Sequence, residues 1–311
     1  MSNERVDAGT TQVEFVKSGT WLGAPSGVLT AGCRAAVLGI PFDCGTHPHR
    51  IGARLGPSSI REQSTNLRRY DPRTNIDVID RLGLVDCGDA AVTPSLIDSS
   101  FAAIEAAVDV VIANGAVAVT MGGDGAVTLP QVRALAKRAP GLCVVHIDAH
   151  TDAYPIDGYN TATSFRHVAQ EGLVDVTRSF HIGMRGPTMV PRVYEFCREL
   201  GYNMVTMQEL RETRFERVAA RVIETVGDRP VYLCFDMDFF DPSVAPGVCT
   251  PTWGGCSAHE GLAFVEKLNA LDTRVLDVNT VSPPHDSAGM TAFLASTVMW
   301  TFLSGLAAKH R

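Results

Sequence analysis

The chain has 311 residues, with 27 Lys plus Arg against 34 Asp plus Glu and a formal net charge of −7. Its 45% hydrophobic and 20% charged residues are an ordinary globular composition, which speaks against a disordered or fibrous chain. The acidic balance argues against a general nucleic-acid binder, which needs a basic face to neutralise phosphates.

Residues 1–9 carry Glu4, Arg5 and Asp7 and no apolar signal core. Residues 1–30 are expected to form an irregular N-terminal arm, and residues 31–311 a single domain. From there short apolar runs alternate with helix-like stretches. Residues 35–40, 116–121, 143–147, 180–184, 231–235 and 274–278 read as strands covered on both faces. Residues 99–113, 129–138, 191–200, 215–226 and 258–270 have helical spacing, and Asn114-Gly115 and Leu200-Gly201 read as helix stops. This alternation predicts an α/β fold with a mostly parallel central sheet and helices on both sides. Residues 289–308 are uncharged and long enough to span a bilayer, but their Thr and Ser content and the lack of a basic flank favour a buried C-terminal helix, with no membrane partner. None of the eight cysteines has Cys-x-x-Cys spacing and several lie in apolar runs. Free thiols in a reducing compartment follow, and with them a cytoplasmic location.

In such a fold, ligands bind beyond the carboxyl ends of the strands. The segments that follow strands are 41–54, 122–125, 148–152, 236–241 and 279–286. Two of them carry a ligand pattern: Asp148-Ala-His150-Thr-Asp152 and Asp236-Met-Asp238. Alternate residues at a strand end point the same way, so each triplet is expected to present its side chains together. Mixed carboxylate and imidazole donors suit one or two divalent cations rather than a thiolate-selective metal. One Asp-x-Asp alone reads more readily as helix caps or surface ion pairs; the two motifs together favour metal.

These segments carry a resemblance. Asp148–Asp152 and the long run 235–255 resemble the signature blocks of the ureohydrolase family of arginases and agmatinases. Gly39-Ile-Pro-Phe-Asp-Cys-Gly-Thr46 with residues 52–61 resembles the agmatinase branch, and His181-Ile-Gly-Met-Arg-Gly186 and Val281-Ser-Pro-Pro284 match further blocks. The resemblance implies a three-layer α/β/α sandwich, trimeric or hexameric assembly, a centre holding Mn²⁺ or Ni²⁺, and hydrolysis of a guanidinium group by metal-activated water. It implies Asp148, His150, Asp236 and Asp238 for one metal and Asp148, Asp152 and Asp236 for the other.

Three residues depart from that pattern. Gly125 stands where the family's Gly-Gly-Asp-His block has a ligating histidine. Thr161 is nearest to the position of a proton-carrying histidine. Thr280 stands where a glutamate meets the substrate guanidinium. The departures imply a chain with no catalytic residue of its own, holding a single ion or none. Such a chain is expected to assemble with an active paralogous subunit, as in two-subunit, nickel-dependent enzymes of the metformin hydrolase type. The alternative is a divergent amidinohydrolase using the one remaining metal site. Among lesser features, His146 is expected to pack beside the metals, His167 to lie on a helix surface, and His47 and His49 to be ordinary loop residues; Trp253 is left between pocket and subunit contact.

Overall fold

The computed structural model describes residues 3–8, 11–16, 19–44 and 49–310. Within the stretch expected to be irregular, Asn3–Ala8 and Thr11–Val16 pair as an antiparallel hairpin. The alternation Thr-Gln-Val-Glu-Phe-Val over 11–16 is a period-2 strand signal that accounts for it.

The main sheet has eight strands: β1 Ala35–Gly39, β2 Val85–Asp89, β3 Val117–Met121, β4 Cys143–Ile147, β5 Phe180–Ile182, β6 Asn203–Val205, β7 Pro230–Asp236 and β8 Asp272–Asn279. Their spatial order is β6-β5-β4-β7-β8-β3-β1-β2, and every neighbouring pair is parallel. Side chains alternate across β7: Val231, Leu233 and Phe235 join one core, and Tyr232 and Cys234 the other. On the first face pack helices Gly56–Ser64, Phe215–Val226, Ala258–Leu268 and Met290–Lys309; on the second pack Ile97–Ala113, Thr128–Ala136 and Ser164–Gln170. The architecture is the expected three-layer α/β/α sandwich. Met290–Lys309 is long and apolar enough to cross a membrane by length and composition, yet Ala295, Val298, Met299 and Leu303 are buried in the first core.

The two strands without a signal in the apolar pattern, β2 and β6, are the two sheet edges. β2 reads Val-Asp-Cys-Gly-Asp, and an edge covered on fewer sides has no need of a continuous apolar run. It is secured instead by Asp86, whose two carboxylate oxygens accept from Arg61 Nε and Nη2, each at 2.9 Å, while Oδ2 also accepts from the Trp21 amide at 2.8 Å. Arg61 and Asp86 are both buried. This pair ties helix Gly56–Ser64 and the turn at Trp21–Gly23 to the sheet edge.

Candidate metal centre

Because β4, β7 and β8 are adjacent, their carboxyl ends stand side by side: Ile147 pairs with Phe235, and Asp236 with Asn279. The ligand triplets lie just past these ends, but the pleat does not set their directions as expected. β4 stops at Ile147, and residues 148–150 run through a bend; β7 stops at Asp236 and passes into the turn Met237–Phe239. The carboxylates fold back to cap backbone amides. Asp148 Oδ1 accepts from His150 N at 2.5 Å, Asp236 Oδ1 from Asp238 N at 2.7 Å, and Asp238 Oδ1 from Ala149 N at 3.0 Å. The last bond crosses between the two triplets and locks them together. Asp152 turns back in the left-handed region at φ 46°, a conformation Asp tolerates better than most residues.

All five predicted residues are brought to this place. Donor atoms of Asp148, His150 and Asp238 lie within 4.8 Å of one another. His150 Nδ1 is 3.2 Å from Asp148 Oδ1 and 3.0 Å from Asp238 Oδ2. A second group with the same spacing joins Asp148 and Asp152 to His146. Asp236 belongs to neither group; its Oδ1 also accepts from Thr280 Oγ1 at 2.5 Å.

Asp148, Asp152, Asp236 and Asp238 are all buried. Burial, and then the charge of Asp148, holds the Asp152 carboxyl well above the ordinary carboxylate range. Burial followed by the charges of Asp238 and Asp148 does the same to Asp236, and burial with Asp148 raises Asp238. Burial works in the same direction on Asp148, but the imidazoles of His146 and His150 outweigh it and hold that carboxyl well below the range. Burial opposes protonation of His150, yet Asp238 and Asp148 raise it. Among the described residues no side chain or amide donates to the Asp152 carboxylate. A buried carboxylate set with only the imidazoles of His146 and His150 against it, and donor atoms this close, fits a divalent cation. His150, Asp148 and Asp238 would hold it, with Asp236 beside them.

Above these residues opens a cavity of about 350 Å³. All five strand-following segments reach it, through Asp43 and Arg50, Asp124, His150 and Asp152, Asp236 and Asp238, and Thr280. The pair Gly122-Gly123 lets the wall close up: a Cβ at Gly123 would lie 1.5 Å from the Phe42 carbonyl oxygen. Asp124 caps the following turn through Ala126 N and accepts from Cys44 N and Sγ. Burial, opposed by the Cys44 hydrogen bonds and reinforced by Asp43, raises its carboxyl to about 6.

The three departing residues also line or border the site. A Cβ added to Gly125 would meet Asp152 Oδ2 and Thr161 Cγ2, each at 2.9 Å. The direction in which residue 125 would project is therefore toward Asp152, and the Thr161 methyl stands in that space. Thr161 and Thr280 both line the cavity. Thr280 adopts φ 66°, strained for a β-branched residue. It is pinned there by its amide to Gly123 O at 2.7 Å and by its carbonyl to Cys249 N at 3.1 Å.

The sequence pattern did not reveal the role of His181, which pairs with His146, nor of Thr252, whose hydroxyl lies 3.2 Å from His150 Nε2. The block 235–255 contains Thr252, and the block 181–186 begins at His181, but neither residue type signals metal chemistry alone. His146 packs against Asp148. His167 lies on helix Ser164–Gln170 with Nε2 3.1 Å from Gly158 O. Trp253 is 74% exposed and is no part of the cavity wall. His49 is exposed; His47 lies outside the described residues.

Comparison with known proteins agrees with this fold. The arginase family profile matches residues 33–305. The guanidinopropionase of Pseudomonas aeruginosa is 37% identical over 292 residues, covering 93% of this chain and 91% of its own. The agmatinase of Edwardsiella ictaluri is 37% identical over 276 residues, covering 88% of each. Among solved structures, proclavaminate amidino hydrolase from Streptomyces clavuligerus superimposes with a TM-score of 0.88 at 32% identity, over 94% of this chain and 98% of that one.

Proposed function

The chain belongs to the arginase family, and from that premise we propose that it is a divergent metal-dependent amidinohydrolase that holds one divalent cation and takes a guanidino or amidino compound into its cavity. Proteins of this family bind divalent metals such as manganese. The observation that carries the reading is the convergence of Asp148, His150 and Asp238 beneath the cavity floor. The names of the relatives, guanidinopropionase, agmatinase and proclavaminate amidino hydrolase, support the substrate class.

A divalent cation held there supplies Lewis-acid activation of water toward an electrophilic carbon. The chain's own residues do the rest. Asp148 and Asp238 orient His150 from both sides, and Thr252 meets its far nitrogen. Asp152 and Asp236 line the cavity and offer acceptor oxygens to a cationic ligand. Thr161 and Thr280 offer neutral hydroxyls. The Thr280 hydroxyl is donated to Asp236, so it orients that carboxylate rather than pairing with a ligand charge.

A second reading is favoured by Gly125, Thr161 and Thr280 together. They suit a subunit that does not turn over substrate itself and assembles with an active paralogous chain, in the manner of the nickel-dependent metformin hydrolase type. The two readings separate in one experiment. The chain is expressed alone and together with a paralogue, and metal content and hydrolysis of guanidinopropionate, guanidinobutyrate, agmatine and a biguanide are measured. The first reading predicts bound metal and turnover from the chain alone. Turnover only in the co-expressed assembly supports the second and contradicts the first.

A further inference from the structure

Beneath the metal centre lies a pair of histidines that the proposed chemistry does not use. His146 on β4 and His181 on β5 are register partners, and both are buried, at 1% and 0% exposure. Their Nδ1 atoms are 2.8 Å apart, and His146 Nε2 is 2.8 Å from Asp148 Oδ2. The rings stand perpendicular. The outer nitrogen of His181, Nε2, has no hydrogen-bond partner among the described residues. Its ring sits edge-on to those of Phe165 and Tyr202, with centroids 5.0 Å and 4.5 Å away.

Two neutral arrangements of the protons can be written for this row. In one, His181 carries its proton on Nδ1 and donates it to His146 Nδ1; His146 then carries its proton on Nε2 and donates it to Asp148. In the other, His146 turns a bare nitrogen toward a carboxylate, and His181 points an N–H into an aromatic cage without an acceptor. The second arrangement sets two acceptors against each other and also leaves a buried donor unpaired, whereas the first leaves only one bare lone pair. Only the first satisfies the row.

We propose that His146 is a positioning residue for Asp148, and that His181 sets the tautomer in which His146 does so. The inference rests on the reading of Asp148 as a metal ligand. The relay binds Oδ2 of Asp148, while Oδ1 caps the His150 amide and lies 3.2 Å from His150 Nδ1, so His146 fixes one carboxylate oxygen and the other stays on the His150 side of the site. It also takes His146 out of the pool of ligands for the Asp148–Asp152 group, because a nitrogen that carries a proton cannot accept a cation. Such partners behind a ligand typically govern metal affinity by about 10–100-fold.

The test has two arms, both on the full chain. Nitrogen-15 NMR of the imidazoles reads the tautomers directly: His146 protonated at Nε2 and His181 at Nδ1. Titration with manganese, followed by its electron paramagnetic resonance signal, reads affinity. His146→Phe should weaken binding by about 10–100-fold, and His146→Gln, whose amide keeps a donor toward Asp148, should recover most of that loss. His181→Phe should weaken binding less and release His146 into both tautomers. A bare Nε2 on His146, or a folded His146→Phe protein with wild-type affinity, overturns the proposal. If His146→Phe fails to fold, the wild-type imidazole spectrum decides. Wild-type protein that takes up no manganese overturns the metal reading itself, and the tautomers then judge the relay independently.

Discussion

Asp148 does two things at the end of β4: it accepts from His146 with one oxygen and faces His150 with the other. Around it the residue-scale questions are about space and charge. At Gly125 the space has been taken up by Thr161 Cγ2. Gly125→His alone should therefore add no cation site, and should destabilise the fold by about 1–3 kcal/mol through overpacking. Gly125→His combined with Thr161→Ala opens the space and should raise metal content above that of the wild type. Elemental analysis and thermal melts of both variants check this; an unchanged metal content in the double variant contradicts the view that residue 125 projects into a ligand position.

Asp124 poses the question of charge. The folded chain holds its carboxyl proton up to about pH 6, whereas the unfolded chain releases it near 3.8. The stability it contributes is therefore full below about pH 4 and fades as pH rises through about 6. Denaturant titrations should show the stability difference between wild type and Asp124→Asn shrinking by about 2 kcal/mol from pH 4 to pH 7; a difference that grows over this range contradicts the assignment. Residue type and spacing pointed to five candidates, of which Asp148, His150 and Asp238 lie with donor atoms within 4.8 Å of one another and Asp236 joins no such group. His181 and Thr252 were not among them, because a histidine in a strand and a threonine in a loop acquire meaning only through neighbours distant in sequence.

At the scale of elements, the interior strands were legible and the edges were not. Residues 143–147 and 231–235 are continuous apolar runs because helices cover both faces; Val85–Asp89 and Asn203–Val205 lie at the rims. The direction of the ligand side chains was also misjudged by the pleat argument, since both triplets leave the sheet through a bend or turn before the alternation applies. What holds the β2 edge is a polar contact, not a run of apolar residues. Replacing Asp86 by Ala strips Arg61 of its bidentate partner and the Trp21 amide of its acceptor. Breaking a buried pair from one side costs about 3–5 kcal/mol, and chemical denaturation of Asp86→Ala should show a loss of that order. A loss below about 1 kcal/mol would mean the pair behaves as a surface contact.

Across the whole molecule, the net charge of −7 includes a knot of buried carboxylates at the meeting point of β4 and β7. Without a cation, Asp152, Asp236 and Asp238 hold protons to higher pH than ordinary carboxyls. Metal uptake must displace those protons, so manganese affinity should rise with pH from about 6 to 8, and calorimetry in buffers of different ionisation heat should show proton release. Affinity that falls over this range would contradict the picture. Binding to the folded state alone should also raise thermal stability, by about 2.7 kcal/mol at a hundredfold excess over Kd.

The central claim is that Asp148, His150 and Asp238 form one working cation site in this chain. The most direct measurement is the metal content of the chain purified alone after growth with manganese or nickel, set beside that of Asp238→Asn. The account predicts about one ion per wild-type chain and a clear loss in the variant, as mixed carboxylate and imidazole sites hold such ions well. A wild-type content below roughly 0.3 ion per chain, or the same content in both proteins, would contradict it.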